Sequence, residues 1–334
     1  MPSEIREVGA ACLSDMVARA ADMMEPVIVR GVASNLPVVK ASSEGDGKLL
    51  EYLLTFARPA EVSILHASEE VQGKFGYTPD LSAFNFKRIK AQFPDFIHAL
   101  QTSNFPPGAV AIQGVQTDSA APGFSEANAL SFLPDGGEFR MWLGTRAEVA
   151  IHCDPAPNVA YIAAGERRFT LFAPEEIGNL YLGPFDPVPS GTQISLVDPL
   201  APDLVRFPRF VDALERSQSA DLHAGDAIFI PTGWFHHVQA LAPINLLINY
   251  WWRSGNEGPS PWDALMHGFM TLRALAPAER RAWRAMFNHY IFEDDGDPGE
   301  HIPAGRRGIL GQPTPQMFDA MRQAVLRGLS GARP

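Results

Sequence analysis

Between residues 109 and 252 the chain reads as a succession of short β-like runs broken by glycine and proline, and this texture constrains the fold more than any other feature. The runs fall near 109–113, 139–143, 147–153, 158–164, 167–173, 192–197, 226–230, 236–241 and 244–252. Many short strands with Gly/Pro turns bury their apolar faces by closing into a barrel or a sandwich. Helical spacing flanks them on both sides. Leu13, Met16, Val17, Ala20 and Met23 recur helically over 10–24, a second helix is expected near 48–56, and a third over 86–100 despite Pro94. Short strands are expected at 26–31 and 61–65. Beyond Pro261 the pattern is helical over 262–275, 277–292 and 314–329, after a polar linker at 253–259. The expected fold class is mainly β with flanking α. Its segments are an N-terminal 1–108 packing on the barrel, a β core at 109–255 and a helical 256–334.

Composition excludes several classes. With 334 residues and 46% hydrophobic content the chain can bury a large core, and a formal net charge of −11 argues against a surface that neutralises phosphates. No nucleic-acid partner is expected. Cys12 and Cys153 stand in unrelated contexts and make neither a disulfide framework nor a CxxC motif. Met1-Pro2-Ser3-Glu4-Ile5-Arg6-Glu7 lacks the basic start of a signal peptide, and no apolar stretch is long enough to span a bilayer. A cytoplasmic protein without a membrane partner is expected.

The chemistry concentrates in His152-Cys153-Asp154 and, some 80 residues on, in Ile230-Pro231-Thr232-Gly233-Trp234-Phe235-His236. Two imidazoles and one carboxylate are the ligand set of a facial triad, which leaves one face of a non-heme Fe(II) open. His152 and Asp154 are two residues apart on a strand, so both project to one face. Alternation groups Glu148, Ala150, His152 and Asp154 on that face, against Val149, Ile151 and Cys153 on the other. A structural Asp–His hydrogen bond would explain the HxD segment alone equally well. His236 and His237 are both available as the distal ligand. Alternation sends them to opposite faces and favours His236, which travels with Val238 and Ala240.

Further polar residues fall in apolar runs. Arg167 alternates with Phe169 and Leu171, so it points inward and calls for an anion, whereas Arg168 points to water. Asn158 follows the HxD closely, and Asn249 interrupts the apolar strand 244–252, where its amide needs partners. Gln113 and Trp251 are candidates for contact with a substrate.

In order and spacing these segments resemble the JmjC/cupin-like family of Fe(II)- and 2-oxoglutarate-dependent oxygenases, and most of all its factor-inhibiting-HIF-like (cupin-like domain) branch. The likeness lies in Trp142-Leu143-Gly144, His152-Cys153-Asp154, Asn158, Gly165-Glu166-Arg167-Arg168-Phe169, Gly225-Asp226 through Pro231, Trp234-Phe235-His236-His237 and Asn249-Tyr250-Trp251. Pro208-Arg209-Phe210 and the N-terminal Pro26-Val27-Ile28-Val29-Arg30-Gly31 add to it. The resemblance implies a double-stranded β-helix with His152, Asp154 and His236 as iron ligands. It places Arg167 where the branch has a lysine anchoring 2-oxoglutarate, and Asn158 and Asn249 beside iron and co-substrate. Val149 and Ala111 stand where the branch has a threonine and a tyrosine that help to hold 2-oxoglutarate.

The resulting expectation is an oxygenase with Fe(II) and 2-oxoglutarate as cofactors, a hydroxylase of a peptide side chain or a small molecule. The alternative is a metal-binding cupin-like protein that binds or regulates without turnover. The resemblance also implies a homodimer built by C-terminal helices. Trp262, Leu265, Phe269 and Leu272, then Trp283, Met286, Phe287 and Tyr290, recur at the spacing such a contact would use.

Overall fold

Alternating apolar and polar residues form strands wherever glycine or proline breaks the helical period. These are described from a computed structural model covering residues 2–18, 25–189, 191–252, 260–312 and 314–330. The N-terminal elements are β1 (Ser3–Glu4), β2 (Arg6–Glu7), α1 (Ala10–Ala18), β3 (Val27–Val29), α2 (Pro37–Ser43), α3 (Asp46–Phe56), β4 (Glu61–Ala67), β5 (Lys74–Phe75), β6 (Lys87–Gln92) and α4 (Phe93–Thr102). Then come β7 (Ala109–Gln116), α5 (Thr117–Ala120), α6 (Phe124–Asn128), β8 (Glu138–Gly144), β9 (Ala147–Cys153), β10 (Asn158–Ala164) and β11 (Glu166–Phe172). After an insert carrying α7 (Phe210–Glu215) follow β12 (Gln218–His223), β13 (Ala227–Ile230), β14 (Phe235–Ala240) and β15 (Asn245–Trp251).

The strands make two sheets, one ordered β2-β3-β13-β10-β15-β8-β7-β4-β6 and the other β1-β12-β11-β14-β9-β5. Within them β8, β15, β10 and β13 pair antiparallel and face β9, β14, β11 and β12, also antiparallel. This is the double-stranded β-helix of a jelly roll, mainly β with flanking helices. The interior is packed by Ala160, Ile162, Phe169, Leu171, Ile228, Ile230, Val238 and Leu247, which alternate with outward residues on their strands. Each such fully buried aliphatic or phenyl side chain stabilises the fold by about 1.5–3 kcal/mol relative to exposure. A second apolar layer, with Leu49, Leu53, Phe93, Phe96 and Phe124, packs helices α3, α4 and α6 together with strands of the large sheet.

Two glycines meet local demands. Gly165 turns β10 into β11 at φ +77°, where a Cβ would lie 2.6 Å from the Asn245 Oδ1 that fixes this corner. At Gly144 a Cβ would lie 2.3 Å from the Val110 carbonyl oxygen, so only glycine lets β8 approach β7 this closely.

The structure departs from the sequence reading at three places. The expected helix over 86–100 is strand β6 followed by α4, because Pro94 falls in the first helical turn and begins the helix instead of interrupting it. Its would-be core residue Ile89 lies on exposed β6. The expected strand at 192–197 contributes only the isolated bridges His152–Ile194 and Leu182–Ser195. Strand β12 is one that the sequence reading did not place, since Gln218-Ser219-Ala220-Asp221-Leu222-His223 carries too little apolar signal. It forms by pairing with β11 along its whole length. The last part of the helix expected over 10–24 and the linker 253–259 lie outside the described residues.

Contacts divide the chain into two units, Met1–Gly255 and Asn256–Pro334. The second contains α8 (Pro261–Thr271), α9 (Pro277–Tyr290) and α10 (Pro315–Leu329), each opening on a proline. A capping box of Ser260 and Asp263 starts α8, and the Glu279 carboxylate accepts from the Ala276 N–H at the start of α9. None of these three helices buries a residue. No helix among the described residues is long and apolar enough to cross a membrane.

Candidate metal centre

Neighbouring strands β9 and β14 bring the three candidate metal ligands together. His236 stands opposite His152 in the ladder, and Asp154 follows just beyond the end of β9. The Nε2 atom of His152 is 3.9 Å from Asp154 Oδ1, and that of His236 is 3.7 Å from Asp154 Oδ2. One ligand atom from each residue falls within 4.8 Å of the others, and all three residues are buried. Backbone carbonyls aim the rings: His152 Nδ1 lies 2.8 Å from the Ala150 oxygen and His236 Nδ1 3.4 Å from that of Trp234. A ring that donates from Nδ1 presents its Nε2 lone pair to the centre, as metal-binding histidines do.

The electrostatics suit a cation. Burial pushes the Asp154 carboxyl above the usual carboxylate range, against the opposing pull of His152, Asn158, Trp251 and Arg140. Burial, with His152 beside it, holds the His236 ring well below its usual value and therefore neutral, the form that ligates metal. A buried carboxylate without a counter-ion costs several kcal/mol, which a divalent ion among these donors would offset. Asn158 donates from Nδ2 to Asp154 Oδ2 at 2.8 Å and orients the carboxylate. Cys153, between the two ligands, turns to the opposite face, where burial first and the Asp154 charge second push its thiol up to about 12. It packs as an apolar side chain.

The ladder corrects one expectation. Alternation on β9 had grouped Glu148 and Ala150 with His152, and Val149 with Cys153. The register shifts between His236 and Val238, whose partners are His152 and Val149. Three steps along β9 thus oppose two along β14, so the bulge inverts the pattern below it. Val149 consequently lines the metal cavity, while Glu148 faces outward beside His237, at 3.6 Å. His237 is on the far side of the sheet from the metal centre.

The same cavity is lined by His152, Asp154 and His236 together with Arg167, Asn158 and Asn249. Arg167 is 6% exposed, donates to the Trp142 carbonyl at 3.1 Å and forms no ion pair with a described residue. Burial pushes its guanidinium down to about 10. Four buried polar atoms here lack a partner: Arg167 Nε, Trp142 Nε1, Asn158 Oδ1 and Asn249 Oδ1. A buried guanidinium with an unsatisfied Nε–H, beside the unsatisfied Trp142 indole N–H, can receive a carboxylate. Gln113, Ala111 and Val149 line the adjoining end next to Arg167. Trp251 lies under the Arg140 guanidinium, 4.9 Å from its ring centre.

Arg140 was not among the residues singled out from sequence, and Trp142 entered only as part of the family resemblance, with no role given to it. Both share the inner face of β8, and Arg140 stands opposite Asn249 on β15. Arg140 donates to Glu138 at 2.6 Å and to the Gly114 carbonyl at 3.1 Å. The available signal was period-two alternation through Arg140, Trp142 and Gly144.

Comparison with known proteins agrees with this geometry. A family model for the cupin-like domain matches residues 14–258. Lysine-specific demethylase JMJ31 of Arabidopsis thaliana is 31% identical over 154 residues, 46% of this chain and 26% of that protein. HSPB1-associated protein 1 of Rattus norvegicus is 33% identical over 119 residues, 35% of this chain and 24% of that protein. The human bifunctional peptidase and (3S)-lysyl hydroxylase JMJD7 is 28% identical over 181 residues, 49% of this chain and 55% of that protein. The matches thus span about a quarter of the first two relatives and about half of the third.

Proposed function

The chain belongs to the cupin-like domain family, and from that membership we propose that it is a non-heme Fe(II)- and 2-oxoglutarate-dependent oxygenase that hydroxylates a peptide side chain or a small molecule. The observation that carries this reading is the convergence of His152, Asp154 and His236 in one cavity with Arg167, a buried cation that has no acidic partner among the described residues. When bound, the iron would supply a redox-active centre for O2 at the expense of the 2-oxo acid.

The protein's own side chains then have separate tasks. His152, Asp154 and His236 hold the ion by one face and leave the other open. Asn158 keeps the Asp154 carboxylate turned toward it. Arg167 receives the distal carboxylate of the co-substrate, and the Trp142 indole N–H, whose partner is missing, adds a neutral donor. This combination replaces the hydroxyl donors whose places Val149 and Ala111 occupy. The Phe169, Val238 and Leu247 walls exclude water. Gln113 and Trp251 are proposed to touch the substrate. A peptide substrate is favoured because two of the relatives carry lysine-directed names.

The test is succinate formation from 2-oxoglutarate by the full chain with Fe(II), alone and with candidate peptides. Turnover that His152→Ala abolishes supports the reading. Tight Fe(II) binding with neither 2-oxoglutarate binding nor succinate would replace it with a metal-binding cupin that lacks turnover.

A homodimer through the helical unit Asn256–Pro334 completes the proposal. Trp262, Trp283, Met286, Phe287 and Tyr290 are exposed on α8 and α9, and closed two-fold pairing is the commonest way to cover such faces. Light scattering should give a dimer mass.

A further inference from the structure

On the opposite face of the metal-bearing sheet lies a separate open cavity of about 200 Å³. Its floor is Glu148 and His237, the outward neighbours of the metal-binding segments of β9 and β14. His237 is 1% exposed, and its Nδ1 has no partner. Its Nε2 lies 3.6 Å from Glu148 Oε2, and the Glu148 carboxylate accepts no hydrogen bond from a described residue. With the Nε2 proton facing that carboxylate, Nδ1 is left as an acceptor at the floor beside the Glu148 oxygens. A buried imidazole acceptor in this state calls for a donor.

The rim has the opposite character. Lys74 is taken up by Asp198 at 2.6 Å, but Arg206 lies over the Phe207 ring, at 4.9 Å, and forms no ion pair with a described residue. Tyr77, Leu81 and Ile194 supply apolar wall. One cavity therefore holds a carboxylate and an unsatisfied imidazole nitrogen at its base, an arginine without an ion pair among the described residues at its edge, and an apolar surface along its side.

We propose that this cavity is a binding site for a small zwitterion, an α-amino acid with an apolar side chain. Its ammonium group sits on Glu148 and His237 Nδ1, its carboxylate on Arg206, and its side chain against Tyr77 and Ile194. The site is independent of the metal and of the oxygenase reading. It is nonetheless joined to the centre, because Ala150 lines the cavity and its carbonyl also orients the His152 ring.

The test uses the full chain treated with chelator, so the metal plays no part. Isothermal titration is run with L-leucine, L-isoleucine, L-valine, L-methionine and L-phenylalanine. For each that binds, the matching amine without the carboxylate and the matching acid without the ammonium are titrated too. At least one amino acid is expected to bind, with its amine and its acid each weaker by about tenfold or more, the scale of a charged hydrogen bond lost. Glu148→Gln should weaken binding by a similar factor. So should Arg206→Ala, an exposed change that leaves the fold intact, while amine binding is unaffected by Arg206→Ala. Absence of binding by all five at millimolar concentration would overturn the proposal. So would binding that survives both substitutions, or an amine that binds as tightly as its amino acid.

Discussion

Arg167 and Arg168 are neighbours on β11 and occupy opposite electrostatic environments. Arg168 faces water and donates twice to Asp221, at 2.6 and 2.8 Å, a bidentate pair that is complete by itself. Arg167 faces the cavity with its Nε unpartnered, and no described carboxylate reaches it. The outer surface holds other closed pairs. Arg30 donates to the largely buried Asp226, which also accepts from the Gly31 and His223 backbones, and Arg216 donates twice to Glu176. Inside the barrel Arg167 Nε, Trp142 Nε1, Asn158 Oδ1 and Asn249 Oδ1 have no partner among the described residues. Where a fold leaves buried donors and acceptors without partners, a ligand is what completes them.

The contrast can be broken by substitution, beginning with the metal ligands. His152→Ala, Asp154→Ala and His236→Ala should each weaken Fe(II) binding by more than about a hundredfold, beyond the loss that even an outer-shell partner produces. His237→Ala should keep it, since His237 points to the far face. A metal titration of the four variants decides this, and tight binding by His236→Ala would remove the assignment.

Next in size is Arg167→Ala. With co-substrate present it should lose about 3–5 kcal/mol of 2-oxoglutarate binding, the scale of leaving one buried charge unpaired. Arg167→Lys should lose less, retaining charge without the guanidinium fork. In ligand-free protein Arg167→Met should leave the melting temperature unchanged or raise it, because the native cation is unpaired there. A large drop in stability for Arg167→Met would make Arg167 a structural residue.

A smaller effect is expected for Asp154 in chelator-treated protein. Its folded carboxyl is raised above its unfolded value, so protons bind more tightly to the folded state. Stability from this group is therefore greatest below the ordinary carboxylate value and falls as pH rises through the raised one. Asp154→Asn should flatten that slope and stabilise the metal-free chain at neutral pH, while abolishing metal binding. Urea unfolding across pH measures both, and an unchanged slope would show that the carboxylate is already compensated.

The smallest effect belongs to the outer pair. Arg168→Gln should cost less than about 1 kcal/mol, because exposed ion pairs are screened by water. The hydrogen bond from Arg168 holds Asp221 below the usual carboxylate range, so this contribution is present above that range and fades as pH falls through the lowered value. A loss as large as that predicted for Arg167→Ala would erase the distinction between the two arginines.

Much of the site was legible without coordinates because it rests on period-two alternation along single strands. That rule turned Arg167 and Phe169 inward, separated His236 from His237, and would have found Trp142 had β8 been read as closely. Local order also announced the barrel, through short runs with Gly/Pro breaks, and the three C-terminal helices, through proline starts and apolar spacing.

Tertiary structure decided what depends on a second segment. The bulge in β9 exists only against β14, and it reverses the faces of Val149 and Glu148 that alternation alone would assign. Strand β12 forms because β11 offers it a ladder, not because its own residues favour it. Lys74 and Asp198 meet across 124 positions of sequence, and the cavity beside them gathers residues from four separate segments, the stretch 74–81, β9, the insert at 194–206 and β14. Sequence periodicity reports which face a side chain takes within one element. Which faces meet depends on pairing between distant strands, and no local pattern carries that information.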